Sequence, residues 1–211
     1  YKGVVTEISK LLPQGSVSVE VYADKNTPAE KLFIQAREMF GWIPNAHIKL
    51  PITKQGLEAA KRCIKEGIRV NMTLCFSQEQ AAAVYAATLG AKKGDVFVSP
   101  FVGRLDDKGE NGMDLIKNIL KMYKNGDGHV EVLSASVRNL NHLLYSIALG
   151  CDIVTAPLKV LKEWKESMAN LQPIVYQEVN LNKPWQDYDI SHEMTEAGIE
   201  RFASDWTSLI G

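Results

Sequence analysis

"AHIKLPITKQGLEAAKRCIKEGIRVNMTL", residues 46–74, holds two strand-like runs with a helix between them. "AHIKL" (46–50) is apolar apart from His47 and Lys49, residues 53–66 have helical spacing and end at Gly67, and "IRVNMTL" (68–74) is rich in strand formers. Strands joined through a helix run parallel in one sheet. The same unit recurs on both sides. "SVSVEVY" (16–22) leads into a helix over 27–41, where Thr27 is placed to cap, Pro28 to take the first helical position, Glu30 to complete a capping box and Gly41 to end the helix. Its apolar stripe is Leu32, Phe33, Ala36, Met39 and Phe40. A helix that Ser77 and Gln80 can box follows 68–74, and "DVFVSP" (95–100), "HVEVLSAS" (129–136) and "CDIVTA" (151–156) repeat the strand theme. The helices after those runs carry Ile116, Leu120 and Tyr123, then Leu143, Leu144 and Ile147, then Leu158, Leu161 and Trp164.

Strand–helix units in series predict an α/β fold with a parallel sheet covered by helices, either doubly wound or a (β/α)8 barrel. "YKGVVTEISKLLP" at the start reads as a helix with no strand before it, whereas a closed barrel needs about two more strand–helix units. Residues 169–193 look irregular. A last helix over about 194–209 presents Ile199, Phe202, Trp206 and Leu209, as a closing core helix or as a face for a neighbouring subunit. One domain over 1–211 accounts for the whole pattern.

Composition narrows the function. The chain of 211 residues is 45% hydrophobic and 23% charged with a formal net charge of -1, so it has no global attraction to nucleic acid or anionic membrane. No apolar run of about 18 residues predicts a membrane span, and the quoted residues open on no signal-peptide pattern. Cys63, Cys75 and Cys151 are far apart without a CxxC, which fits a reduced cytoplasmic protein. His47, His129, His142 and His192 lack metal-ligand spacing, so no metal is expected.

Alternate strand residues point to opposite faces. Near the carboxyl end of each strand a polar residue stands out of phase with the apolar ones: Glu20, Lys49, Asn71 with Thr73, Ser99, and Ser134 with Ser136. Such residues would converge at the carboxyl ends of the strands, where α/β enzymes place active sites. Three readings of Lys49 follow: a surface lysine at a frayed strand end, an ion pair with Glu20 on the neighbouring strand, or an amine nucleophile for Schiff-base chemistry, with Glu20 and Thr73 holding a proton-carrying water. Arg104 and Arg138 follow two strands and suit phosphate through forked hydrogen bonds. Arg104 could instead pair with Asp106 or Asp107; those two and Glu110 otherwise read as a solvated loop. His47 and Cys75 read as structural.

"IKLPITKQGLEA", "RVNMTLCFSQEQA", "VFVSPFVGRLDD" and "VLSASVRN" resemble, in order and spacing, the signature segments of transaldolases, especially the small transaldolase-like subfamily. The resemblance covers nearly the whole chain. It implies a cofactor-free (β/α)8 barrel that moves a dihydroxyacetone unit between sugar phosphates, among them fructose 6-phosphate, sedoheptulose 7-phosphate, erythrose 4-phosphate and glyceraldehyde 3-phosphate. It implies Lys49 as the Schiff-base lysine, Glu20 and Thr73 as the residues that hold a working water, Asn71, Ser99 and Phe101 as pocket residues, and Arg104, Ser136 and Arg138 on the phosphate side. It also implies a homo-oligomer, a pentamer or decamer, whose C-terminal helix reaches a neighbour. Fructose-6-phosphate aldolases resemble the chain too, but typically carry Gln for Glu20 and Tyr for Phe101, so these two positions favour transaldolase. The family's first-strand Asp and its "TTNPS" segment are absent from the quoted residues, and the chain is expected to begin after the second strand of the barrel. Two alternatives stay open: an aldolase releasing free dihydroxyacetone, and a non-catalytic sugar-phosphate binding barrel.

Overall fold

The computed structural model describes residues 1–167 and 178–210. Its elements alternate: α1 (Lys2–Leu11), β1 (Val17–Glu20), α2 (Ala29–Phe40), β2 (Ala46–Pro51), α3 (Lys54–Lys65), β3 (Val70–Cys75), α4 (Gln78–Ala87), β4 (Val96–Pro100), α5 (Val102–Asp106), α6 (Gly112–Tyr123), β5 (Val130–Ser134), α7 (Leu140–Ala148), β6 (Ile153–Val154), α8 (Leu158–Glu166) and α9 (Glu193–Ile210), with a 3-10 turn at Trp185–Asp187 before α9. Among the described residues the strands form one six-stranded sheet in the order β1-β2-β3-β4-β5-β6, every pair parallel. A doubly wound sheet reverses its order at a switch point. This one never does, and it curls as a half-barrel.

The local chemistry largely explains the boundaries. Thr53 caps α3 by accepting from Gly56 N at 3.0 Å. Ser77 caps α4 by accepting from Gln80 N at 3.1 Å, while Gln80 Oε1 accepts from Phe76 N at 2.7 Å. Thr27 departs from its expected role. Its hydroxyl donates to Asp24 Oδ1 at 2.7 Å and accepts from Asp24 N at 2.9 Å, so it builds a turn. Pro28 is the N-cap without a side-chain cap, and Glu30 pairs with Arg62 at 2.5 Å instead of closing a box. Asp24 competes for the hydroxyl because Asx turns form on short local contacts.

The core lies between sheet and helices, with Ile48, Leu50, Leu57, Val70, Met72, Val96, Val98 and Ile116 all at 0% exposure. The expected stripes of α7 and α8 are largely not buried. Leu143 is buried, but Ile147, Leu158, Leu161 and Trp164 are 47%, 66%, 42% and 48% exposed, and Val160 is the buried residue of α8. The two-residue β6 offers these helices little surface to cover.

His47 anchors the start of β2. Its ring stacks on Phe97 with centroids 4.0 Å apart, Nε2–H donates to Gly94 O at 2.8 Å, and Nδ1 accepts from the Ser16 hydroxyl at 2.6 Å. Burial lowers its pKa from 6.5 to about 4, opposed by the Gly94 hydrogen bond. A His held neutral contributes stability that is complete above the unfolded pKa and is lost as pH falls through the folded one. Urea unfolding between pH 7 and 4.5 should show wild type losing up to about 3 kcal/mol more than His47→Gln. Parallel losses in the two proteins would contradict that role.

Candidate active site

Register carries the site. Glu20 pairs with Lys49, Lys49 with Asn71, and Pro51 with Thr73 on adjacent parallel strands. Side chains of one face therefore stack in rows across β1, β2 and β3. Lys49 Nζ lies 2.9 Å from Glu20 Oε2, and both side chains are 23% exposed. The expected ion pair with Glu20 is present, and it leaves the Lys49 amine beside an acid–base partner. Thr73 is buried at 1% exposure, and among the described residues its Oγ1 has no hydrogen-bond partner. An orphaned buried hydroxyl is costly and uncommon, so it marks a place where something polar belongs. A cavity of about 10 Å³, lined by Glu20, Thr73, Pro51, Val21, Ala23, Ile199 and Phe202, adjoins it. That is the scale of a single water. Beside it a cavity of about 480 Å³ is lined by Glu20, Lys49, Tyr1, Val4, Phe202, Asp205 and Trp206.

Asn71 links the strands behind the amine. Ser99 Oγ donates to Asn71 Oδ1 at 2.7 Å, and Asn71 Nδ2 donates to Ser18 Oγ at 2.9 Å. The chain of bonds fixes the Asn71 amide across β1, β3 and β4. Phe101 is buried edge-on against Phe76 at 5.7 Å, and the Arg104 guanidinium lies over its ring at 5.0 Å.

Arg104 makes no ion pair among the described residues; Asp107 pairs with Arg138, and Asp106 lies 2.5 Å from His142 Nε2. The two aspartates expected to be idle in a solvated loop thus brace the second arginine segment. Asp107 holds the Arg138 side chain, and buried His142 accepts from Arg138 N through Nδ1 at 3.3 Å. Arg104 is desolvated by burial and flanked by Arg201 and Arg138, which lower its pKa, while Asp107 opposes them. A desolvated guanidinium among like charges has the chemistry to receive an anion. Gly103 lets α5 approach this loop, since a Cβ there would sit 2.4 Å from Ser136 O and 2.6 Å from Arg138 Nε.

Two leucine- and serine-sized residues adopt left-handed backbone here, Leu74 at φ 63° and Ser136 at φ 57°. Such conformations cluster at functional sites because the surroundings must over-determine them. At Leu74 the cause is visible, for its carbonyl accepts from Thr195 Oγ1 of α9 at 2.9 Å. At Ser136 the turn presents a half-exposed side chain after the strand has ended. Ser134 was expected beside it on the site face and is not there. Glu131, not Ser134, continues the Lys49–Asn71–Phe97 row, and Ser134 Oγ accepts from Ser146 of α7 at 2.9 Å.

Helix α9 supplies what strand reasoning missed. It lies against the end of β3, and its Phe202 ring stands 5.4 Å from Lys49 Nζ and 5.8 Å from the Arg104 guanidinium. Ile199 is buried, and Trp206 stacks edge-on against Tyr1 at 5.1 Å. The fourth member of the expected stripe, Leu209, has a side chain outside the described residues.

Cys63, Cys75 and Cys151 are free, and burial raises each thiol to about 12, which leaves them unreactive. Among the described residues no helix is long and apolar enough to cross a membrane, and no group of His, Cys, Asp or Glu could hold a metal ion.

Consecutive parallel strand–helix units that gather charged side chains at the strands' carboxyl ends define a barrel-type α/β enzyme scaffold. Residues 2–211 match the family model for Transaldolase/Fructose-6-phosphate aldolase. The chain belongs to that family. It is 42% identical over 209 residues to a "Probable transaldolase" of Dehalococcoides mccartyi, covering 99% of this chain and 81% of the relative. Proteins with the same description from Roseiflexus sp. and Brucella ovis are 36% and 39% identical, over 98% and 96% of this chain and 79% and 77% of their own length.

Proposed function

We propose that this chain is a transaldolase acting in the cytoplasm, within the pentose phosphate pathway, on sugar phosphates such as fructose 6-phosphate and sedoheptulose 7-phosphate. The observation that carries the reading is Lys49 Nζ at 2.9 Å from Glu20, beside the unpartnered Thr73 hydroxyl and a cavity of single-water size. Glu20 is within proton-transfer distance of the amine and takes its proton before attack. Neutral Lys49 then adds to the C2 carbonyl of the ketose, and a water held between Glu20 and Thr73 relays protons as the carbinolamine loses water. The resulting iminium accepts the electron pair of the C3–C4 bond as the C4 hydroxyl gives its proton through that water to the Glu20 carboxylate and an aldose phosphate departs. The enamine left on Lys49 attacks the next aldehyde. Asn71 and Ser99 orient the hydroxyls, and Arg104, Arg138 and Ser136 hold the phosphate away from the reacting carbons.

Phe101 favours transfer over release. To free dihydroxyacetone an aldolase must protonate the enamine, and Phe101 brings no hydroxyl to the pocket. The test uses fructose 6-phosphate with and without erythrose 4-phosphate. Glyceraldehyde 3-phosphate should form at least about tenfold faster with the acceptor, since transfer clears the enamine by the lower barrier. An equal rate with free dihydroxyacetone as co-product would establish the aldolase instead.

A further inference from the structure

Asp106 and His142 form a pair that the chemistry above leaves without a role. Asp106 Oδ2 lies 2.5 Å from His142 Nε2, and Asp106 Oδ1 accepts from Gly112 N at 2.9 Å. The imidazole is only 7% exposed. It stands in the first turn of α7, where Asn139 caps the helix by accepting from His142 N at 2.9 Å. A carboxylate only accepts, so the ring hydrogen facing it sits on Nε2, and Nδ1 is left as an acceptor. Nδ1 takes the Arg138 N–H at 3.3 Å.

Each end of this relay carries an arginine. Arg104 and Asp106 share the five-residue α5, and His142 ends on the backbone of Arg138. The start of α5 is bonded to the segment before Arg138, for Val102 N donates to Ala135 O at 3.0 Å and Gly103 N to Ser136 O at 3.1 Å. Those bonds stop at Ser136, whose left-handed backbone turns the chain away from the sheet. Beyond that turn the His142 ring holds the Arg138 backbone. Asp107 grips the Arg138 guanidinium, but both side chains of that pair are about half exposed, and such pairs restrain little.

A phosphate held by two guanidiniums depends on the distance between them, because forked hydrogen bonds tolerate little misplacement. Arg104 is fixed by the helix that carries Asp106. Arg138 is fixed to the same carboxylate through the imidazole. The carboxylate therefore acts on the second arginine only while it keeps the ring hydrogen on Nε2. With that hydrogen on Nδ1, two N–H groups would face each other and the Arg138 backbone would be pushed off its place.

We propose, on the transaldolase reading above, that His142 is a positioning residue: oriented by Asp106, its ring sets Arg138 at the distance from Arg104 that a substrate phosphate needs. The readout is kcat/KM for erythrose 4-phosphate divided by that for unphosphorylated glyceraldehyde, with fructose 6-phosphate as donor. Both acceptors meet the same enamine on Lys49, so the donor half-reaction and the state of the amine cancel from the ratio. His142→Gln keeps a donor toward Asp106 but offers no acceptor where Nδ1 stands, and the ratio should fall about tenfold or more. His142→Asn sets its amide oxygen where Nδ1 stands and should hold the ratio within about threefold of wild type. Asp106→Asn leaves the ring in place but turns an amide N–H toward Nε2, which moves the ring hydrogen to Nδ1, so the ratio should fall as in His142→Gln. A merely structural pair would slow both acceptors together. An unchanged ratio in folded His142→Gln or Asp106→Asn, or a loss in His142→Asn equal to that in His142→Gln, overturns the proposal and leaves the transaldolase reading intact. A wild type that forms no borohydride-stable adduct with fructose 6-phosphate refutes that reading itself, and this one with it.

Discussion

Lys49→Met is expected to lower sugar-phosphate turnover by about 10⁴-fold or more, which is about 5.5 kcal/mol of transition-state stabilisation. Methionine keeps most of the lysine stem, so the pocket walls formed by Phe202 and Glu20 retain their packing. The loss comes from the covalent step, for without a nitrogen at this position no iminium forms and the C3–C4 bond has no electron sink. Circular dichroism and the thermal midpoint of the variant should stay close to wild type, because Lys49 is at the rim of the core and its partner Glu20 reaches solvent. A variant that folds and retains more than about a hundredth of the activity would require another nucleophile.

Arg104→Ala is expected to cut kcat/KM for fructose 6-phosphate by about 10²–10³-fold while leaving unphosphorylated acceptors nearly unaffected. Arg104 makes no ion pair among the described residues, and its neighbours Arg138 and Arg201 repel it. On the proposed function, an incoming phosphate would relieve that unfavourable charge. Removing one guanidinium also removes that repulsion, so the thermal midpoint should hold or rise as activity falls, the trade-off expected where function strains a fold. Arg104→Lys restores charge without the fork and should recover only part of the loss. A fall in stability alongside a small kinetic effect would make Arg104 a packing residue on Phe101.

The row of Glu20, Lys49 and Asn71 was legible in the sequence because period two and parallel register act together. Glu20, Lys49 and Asn71 sit in extended backbone, and adjacent strands bring them side by side. Ser134 was misplaced by counting in twos from Ser136. That count fails where the backbone stops being extended, and Ser136 at φ 57° lies beyond that point. Thr27 was misread as a cap because capping and the Asx turn compete for the same hydroxyl, and only the position of Asp24 decides. Arg104 was the expected partner for Asp106 or Asp107, the aspartates that follow it. Folding gives Asp107 to the more distant arginine and, among the described residues, leaves the nearer one without an ion pair. Phe202 belonged to a stripe that read as core or docking face. Its position over Lys49 depends on where α9 crosses the sheet, and that is set by Thr195, Gln80 and Gly198 through contacts long in sequence.

The account rests on a covalent bond to one nitrogen. Sodium borohydride added to the protein with fructose 6-phosphate, followed by proteolysis and mass spectrometry, tests it most directly. The peptide containing Lys49 should carry a single reduced three-carbon dihydroxy unit, and Lys49→Met should carry none. An adduct on another residue, or one that persists in Lys49→Met, would contradict the assignment.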